Sequence, residues 1–243
     1  MVKNKILVLG YGMLGQELVR QTGWDYVCLE EHGFDITEPE KWGEYLLQVE
    51  FGAIQHCPYD AIINCIANTD TYSTDRDSHW NVNYKGTDNL IEFCNSWKVK
   101  LIQISTDYVY GGGMCNKTET EVPVHCDNWY SYTKLLSDAH VQLKSNNYLM
   151  LRIGHKKRPF TYEVAYDDML GNFDYTDVIT EIILKMINLD LNGIYNVGTS
   201  AKSMYTLAKQ TKVDVIPGRV QGSHMPKCVL MNLDKFKSLK LNE

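Results

Sequence analysis

The stretch KILVLGYGMLGQELVRQT, residues 5–22, restricts this chain more than any other. A continuous apolar run gives way to three glycines and then to helical periodicity. An apolar run without polar alternation reads as a strand covered on both faces, as in a parallel sheet. Gly10, Gly12 and Gly15 allow a tight turn, close approach of another group to the backbone, and close packing of helix on strand. The helix that follows presents unpaired N–H groups at its N-terminus. The turn, with Met13 and Leu14 inside it, is therefore a candidate cradle for the pyrophosphate of a dinucleotide.

The rest of the chain keeps the same rhythm. Strand-like runs at 26–30, 60–67, 100–105 and 148–153 alternate with helical stretches at 39–49, 81–97 and 130–144. Pro39 suits the first turn of the second helix. Alternation of this kind predicts an α/β fold, a Rossmann-type doubly wound parallel sheet. The rhythm breaks over 154–173, returns as a helix at 177–187 and a strand at 193–198, and ends in a mixture over 199–243. The expected organisation is a dinucleotide domain over 1–153, completed by about 175–198. A small substrate lobe is expected from 154–174 and 199–243.

Composition excludes several classes. A formal charge of −6 argues against a general nucleic-acid or membrane-surface binder. No apolar run approaches the ~20 residues of a membrane span. The N-terminus lacks the apolar region and cleavage site of a secretion signal, so a cytoplasmic protein is expected. Seven cysteines without a C-x-x-C pair predict reduced thiols. The doublets His56–Cys57 and His125–Cys126 lack the recurring zinc spacings, and no metal site is expected.

Glu30 stands twenty residues beyond Gly10, where an acid accepts hydrogen bonds from an adenosine ribose. It would repel a 2′-phosphate, which favours NADH over NADPH. Asp35 and Ile36 are placed against the adenine, and Ala67 and Asn68 along the dinucleotide groove. The strand ending in ISTDYVY, next to the first strand in the usual winding order, brings Thr106 to the carboxyl edge of the sheet. Ligands bind at that edge.

In NWYSYTKLL, Tyr130 and Lys134 are four apart and share a helix face, whereas Tyr132 and Lys134 do not. Tyr130 is the candidate proton donor at a carbinol oxygen while a hydride moves at its carbon. The positive charge of Lys134 is expected to lower the phenol pKa by roughly 1–3 units. Thr106 is expected to hold the same oxygen. Tyr205 and Lys209 repeat the spacing, but no strand-end hydroxyl precedes them, and they read as a packing helix.

The segments GYGMLGQEL, FDIT and STDYVY, with the Tyr130–Lys134 pair, resemble the extended short-chain dehydrogenase/reductases. Within them the likeness is greatest to the dTDP-4-dehydrorhamnose reductases and their nucleotide-sugar relatives. It runs over about 4–153 and resumes at DVITEIILKMI, GIYNVGTS and MPKCVLMNLDKF. The resemblance implies a Thr–Tyr–Lys triad at Thr106, Tyr130 and Lys134, and NAD(P)H as cofactor. It also implies reduction of the 4-keto group of a nucleotide-linked 6-deoxysugar, as in rhamnose biosynthesis.

Asp107, Lys156, Lys157 and Arg158 are the candidate substrate contacts, the basic run HKKRP serving the diphosphate. The chain departs from the family in the short connection after 153 and in Met225-Pro226-Lys227-Cys228, where an arginine anchor is absent. Tyr108 occupies the position of the epimerising cysteine of related enzymes, which disfavours epimerisation. Two alternatives remain open: an epimerase or dehydratase that recycles its NAD, and a non-catalytic dinucleotide-binding subunit. The partners expected are a nucleotide sugar and, through helices at the sheet edge, a second copy of the chain.

Overall fold

The computed structural model describes residues 5–50, 54–111, 115–122, 126, 128–222 and 225–241. Its centre is a parallel sheet of β1 (Ile6–Leu9), β2 (Asp25–Val27), β3 (Ala61–Asn64), β4 (Lys100–Thr106), β5 (Tyr148–Ile153) and β6 (Gly193–Asn196). The spatial order is β6-β5-β4-β3-β1-β2. Side chains alternate across such a sheet, and each face has its own core. Ile6, Val8, Ile63, Ile102 and Leu151 meet α1 (Met13–Thr22) and α5 (Thr176–Asn188). Leu7, Leu9, Ile62, Leu101 and Met150 meet the opposite layer, α3 (Gly86–Trp97) and α4 (Trp129–Lys144). Because both faces are covered, the strands read in sequence as unbroken apolar runs. A short α2 (Leu29–His32) follows β2.

The winding differs from expectation in one respect that matters for the site. β4 does not lie beside β1; it pairs with β3 and β5, and β3 pairs with β1 at Leu7↔Ile62. After β2 the chain adds no further strand to that edge of the sheet and crosses back directly, so β3 takes the place next to β1. The reversal of strand order therefore falls between β1 and β3, where Gly10 packs against Ile66.

Two elements are shorter than their sequence signal. The strand expected over 26–30 ends at Val27, and Glu30 lies in the first turn of α2. The helix expected over 39–49 is a 3-10 turn, Pro39–Lys41, and one helical turn, Gly43–Leu46. That single turn already buries Trp42 and Leu46. The chain then extends into a hairpin of Gln48–Glu50 with Ile54–His56.

Beyond β5 the chain builds three small sheets: His155–Lys156 with Asp174–Tyr175, Val164–Tyr166 with Ile216–Gly218, and Leu170–Gly171 between Lys202–Ser203 and Cys228–Val229. Phe160, Met169, Phe173, Tyr175, Leu207 and Val229 form their common core. Tyr205 packs there on the helix Met204–Ala208, and Lys209 donates to the Val213 carbonyl.

The expectation of reduced thiols fails at one pair. Cys115 and Cys228 form a disulfide, with Cα atoms 5.7 Å apart. The sequence separation of 113 hid the pairing, and a parallel bridge between Lys117 and Met231 aligns the two segments. No helix among the described residues is long and apolar enough to cross a membrane.

Candidate active site

The glycine turn stands at the carboxyl end of β1. Gly10 has φ +89°, a left-handed conformation that favours glycine. A Cβ on Gly15 would collide with the Gly10 carbonyl oxygen, so a side chain there would push α1 off the turn. A Cβ on Gly12 would meet nothing within 4 Å. The turn is thus open at the N-terminus of α1, as backbone that receives a pyrophosphate must be.

One cavity of about 610 Å³ runs from this turn to the end of β4. Gly12, Met13, Leu14, Gly15 and Ala67 line one end of it. Thr106, Asp107, Tyr130, Lys134, Lys156 and Lys157 line the other. Three elements converge there because β4 ends at Thr106, α4 begins at Trp129, and β5 leads into the Gly154–Lys157 segment. Asn128 caps α4 by accepting from Ser131 N at 2.8 Å, which fixes where the first turn begins and which face Tyr130 takes.

Thr106 is buried; its hydroxyl accepts from Tyr108 N at 3.2 Å and donates to Asp107 Oδ1 at 3.3 Å. It also hydrogen-bonds to the Tyr130 phenol. Lys134 is buried and donates from Nζ to the Ile104 carbonyl at 2.7 Å. Tyr132 points away from both, half in solvent and edge-on to Trp129 at 5.5 Å.

The electrostatics correct one expectation. Burial pushes the Tyr130 phenol up to about 12; the Thr106 bond opposes this, and the charges of Asp107 and Asp138 add to it. Lys134 does not lower it here, because its ammonium is turned to the Ile104 carbonyl. Burial lowers the Lys134 ammonium, opposed by Asp138 and Cys65.

Asp107 is pushed up to about 7 by burial, opposed by the Lys156 charge. Burial lowers Lys156 in turn, opposed by Asp107. His155 is lowered to about 4 by burial and by Lys156, and its Nδ1 lies 3.1 Å from Thr176 Oγ1. The site therefore presents a neutral phenol, a neutral imidazole and buried amines in one cavity.

Several residues expected at the site do not line this cavity. Glu30 is exposed on α2. Asp35 accepts from Thr37 N at 2.8 Å and from Thr37 Oγ1 at 2.7 Å, and Ile36 is buried against Gly86. Arg158 pairs with Asp177 at 2.9 Å, lies over the Tyr175 ring, and lines a separate outer cleft with Arg20 and Glu17. His125 lies outside the described residues. Among the described residues, the group with metal-ligand spacing is Cys28, Glu31 and His32 and not the His–Cys doublets. His32 Nδ1 already accepts from Cys28 N at 3.3 Å, and Glu31 accepts from Tyr26 OH at 2.6 Å.

Asn83 does not line the cavity but braces it from behind, and periodicity did not reveal it. It sits in a π turn, Trp80–Lys85, leading into α3. Its Oδ1 accepts from Asn68 N at 2.7 Å, while its Nδ2 donates to Asn68 O at 2.9 Å and to Thr133 Oγ1 at 3.0 Å. It thus ties the loop after β3 to the helix carrying Tyr130. Tyr72 and Tyr162, exposed at the cavity mouth, were likewise silent because their segments have no period.

The chain matches the sequence profile of the RmlD substrate binding domain over residues 4–156. It is 26% identical over 236 residues to a dTDP-4-keto-6-deoxy-D-glucose reductase of Streptomyces niveus, covering 86% of this chain and 78% of that protein. Its fold is shared with dTDP-4-dehydrorhamnose reductase from Bacillus anthracis in complex with NADP. There the TM-score is 0.78 and the identity 22%, over 98% of this chain and 92% of that one. MoeE5 in complex with UDP-glucuronic acid and NAD has the same fold, with TM-score 0.72 and 15% identity over 96% and 91% of the two chains.

Proposed function

Because this chain belongs to the family defined by the RmlD substrate binding domain, we propose that it reduces the 4-keto group of a nucleotide-linked 4-keto-6-deoxyhexose, dTDP- or UDP-linked, in deoxysugar biosynthesis. The observation that carries the reading is the single cavity joining the open glycine turn to Thr106, Tyr130 and Lys134. A nicotinamide dinucleotide suits that cavity, with Gly12–Gly15 receiving its pyrophosphate and Ala67 lining its groove, while Asn68 beside it is held by Asn83. When bound, it supplies the hydride.

The chain's own residues manage the oxygen. At neutral pH a phenol pushed up to about 12 is protonated, the form a reduction needs at its start. The Thr106 hydroxyl steadies the substrate carbonyl. As negative charge builds on that oxygen, Tyr130 passes its proton to it. The phenolate left behind is favoured by the Thr106 hydroxyl, and the Lys134 ammonium, held on the Ile104 carbonyl, supplies positive charge on the same helix face.

The dinucleotide half, 1–153 with 175–198, supplies this machinery, and the lobe of 154–174 and 199–243 holds the sugar nucleotide. Lys156 and Lys157, which line the cavity, face the substrate phosphates, with Asp107 beside them. Arg158 is committed to Asp177 and leaves this set. Two acids, Glu30 and Glu31, follow β2, which favours NADH over NADPH. A homodimer through the helical layer is compatible with the fold.

The test is loss of NADH or NADPH absorbance on mixing the protein with purified dTDP- and UDP-linked 4-keto-6-deoxysugars. Stoichiometric oxidation is expected, falling roughly 10²- to 10⁴-fold in Tyr130→Phe. A sugar that changes without net oxidation would replace the reductase with a cofactor-recycling enzyme. An unchanged sugar beside tight dinucleotide binding would leave only a binding role.

A further inference from the structure

Asp138 takes no part in the hydride and proton transfer described above, yet it lies in line with the residues that do. Tyr130, Lys134 and Asp138 are spaced by four on α4 and share one face. Asp138 is fully buried; its Oδ2 accepts from Arg152 Nε at 2.9 Å. Its Oδ1 is also buried and has no hydrogen-bond partner among the described residues. Arg152, on β5, is itself locked in place. It donates to Tyr110 OH at 2.7 Å and to the Glu119 carbonyl at 2.9 Å, and Tyr110 OH donates to Asn196 Oδ1 at 2.8 Å. A carboxylate with one oxygen fully engaged and one left over is an expensive arrangement in a low-dielectric interior. Such an arrangement calls for a second positive charge within reach, and one helical turn back along the shared face stands Lys134.

We propose that Asp138 is a positioning residue for proton transfer: held by Arg152, it keeps the Lys134 ammonium charged where the Ile104 carbonyl holds it, on the helix face shared with Tyr130. The groups around Lys134 make the assignment specific. From its own helix come Tyr130 and Asp138, from β4 the neutral Ile104 carbonyl, and from the segment after β3 the Cys65 thiol. Cys65 is pushed up to about 12 by burial and is uncharged over the working range. Asp138 therefore supplies the formal negative charge acting on Lys134, and Arg152, from β5, is the charge facing Asp138 itself. The same carboxylate disfavours ionisation of Tyr130. Asp138 thus supports both starting forms that reduction needs, a charged lysine and a protonated phenol.

The experiment is the pH profile of kcat/KM for ketosugar reduction in the full-length protein. Loss of the Lys134 proton sets its alkaline limb. In Asp138→Asn the limb moves down by about one pH unit, and in Asp138→Glu it returns towards the wild-type position. Removing one member of a buried ion pair can unfold a protein, whereas replacing both members by apolar residues is tolerated. The double variant Asp138→Leu with Arg152→Met therefore separates the roles. A lowered alkaline limb in that folded double variant supports the proposal. A wild-type profile in it, or in Asp138→Asn, overturns the proposal and leaves the pair a packing device. The inference rests on Tyr130 and Lys134 being the transfer pair. Turnover surviving in Tyr130→Phe would sink that reading, whereas turnover lost in Tyr130→Phe with an unmoved Asp138→Asn profile would sink this inference alone.

Discussion

Gly15 has no room for even a methyl group, because the Gly10 carbonyl oxygen occupies the space where a Cβ would be built. Gly15→Ala is expected to destabilise the fold by roughly 1–3 kcal/mol, the cost of overpacking a rigid contact. It is also expected to weaken dinucleotide binding, since α1 must shift away from the turn. Urea unfolding and a fluorescence titration with NADH check the two effects. Asp107 makes a different kind of prediction. Its folded-state pKa of about 7 lies above the ordinary value of 3.8, so the native state holds its proton where the unfolded chain has released it. The resulting stability is complete below about pH 4 and is lost as pH rises towards 7. Asp107→Asn escapes that loss, and its melting temperature should gain on the wild type between pH 4 and pH 7.5. A difference in Tm that stays constant with pH would contradict the burial of this carboxyl. At this scale residue type and spacing were enough to expect Gly15, Thr106, Tyr130 and Lys134 near one another, and they line one cavity. The placement of Glu30, Asp35 and Arg158 follows from turns and an ion pair with no periodic signature.

Helix α4 and the π turn before α3 carry the site between them. The register of α4 is fixed by its Asn128 cap, and the four-residue spacing that shares a face was open to inspection in the sequence. The π turn was not. Trp80–Lys85 continues an amphipathic pattern, and nothing in the letters marks the extra residue that turns Asn83 inward. Asn83→Ala removes three hydrogen bonds joining Asn68 and Thr133. The expected cost is about 2–3 kcal/mol of stability for buried polar groups left unpaired. NADH affinity should also fall several-fold as the loop after β3 loosens. Equilibrium unfolding and the same NADH titration measure both, and unchanged affinity would show that the loop is held without Asn83. The 39–49 segment teaches the converse. Its apolar spacing suited a long helix, but one turn met the burial demand of Trp42 and Leu46, and pairing with Ile54–His56 offered backbone hydrogen bonds to the rest.

Across the whole molecule, the disulfide between Cys115 and Cys228 fastens the segment following β4 to a strand of the lobe that closes the cavity. Thiol titration of the unreduced, denatured protein should therefore find five cysteines. Seven would mean that the pair is not bonded in solution. Local pattern determined much of this protein: the strands of the parallel sheet, the strand–glycine–helix unit and the Tyr130–Lys134 face all depend on neighbours within a few residues. Tertiary structure alone decided the rest. It set β3 beside β1, joined two cysteines 113 residues apart, buried Asp138 against Arg152 and turned Lys134 to the Ile104 carbonyl. Those outcomes depend on which distant surfaces share a low-dielectric interior, and a one-dimensional spacing carries no record of that.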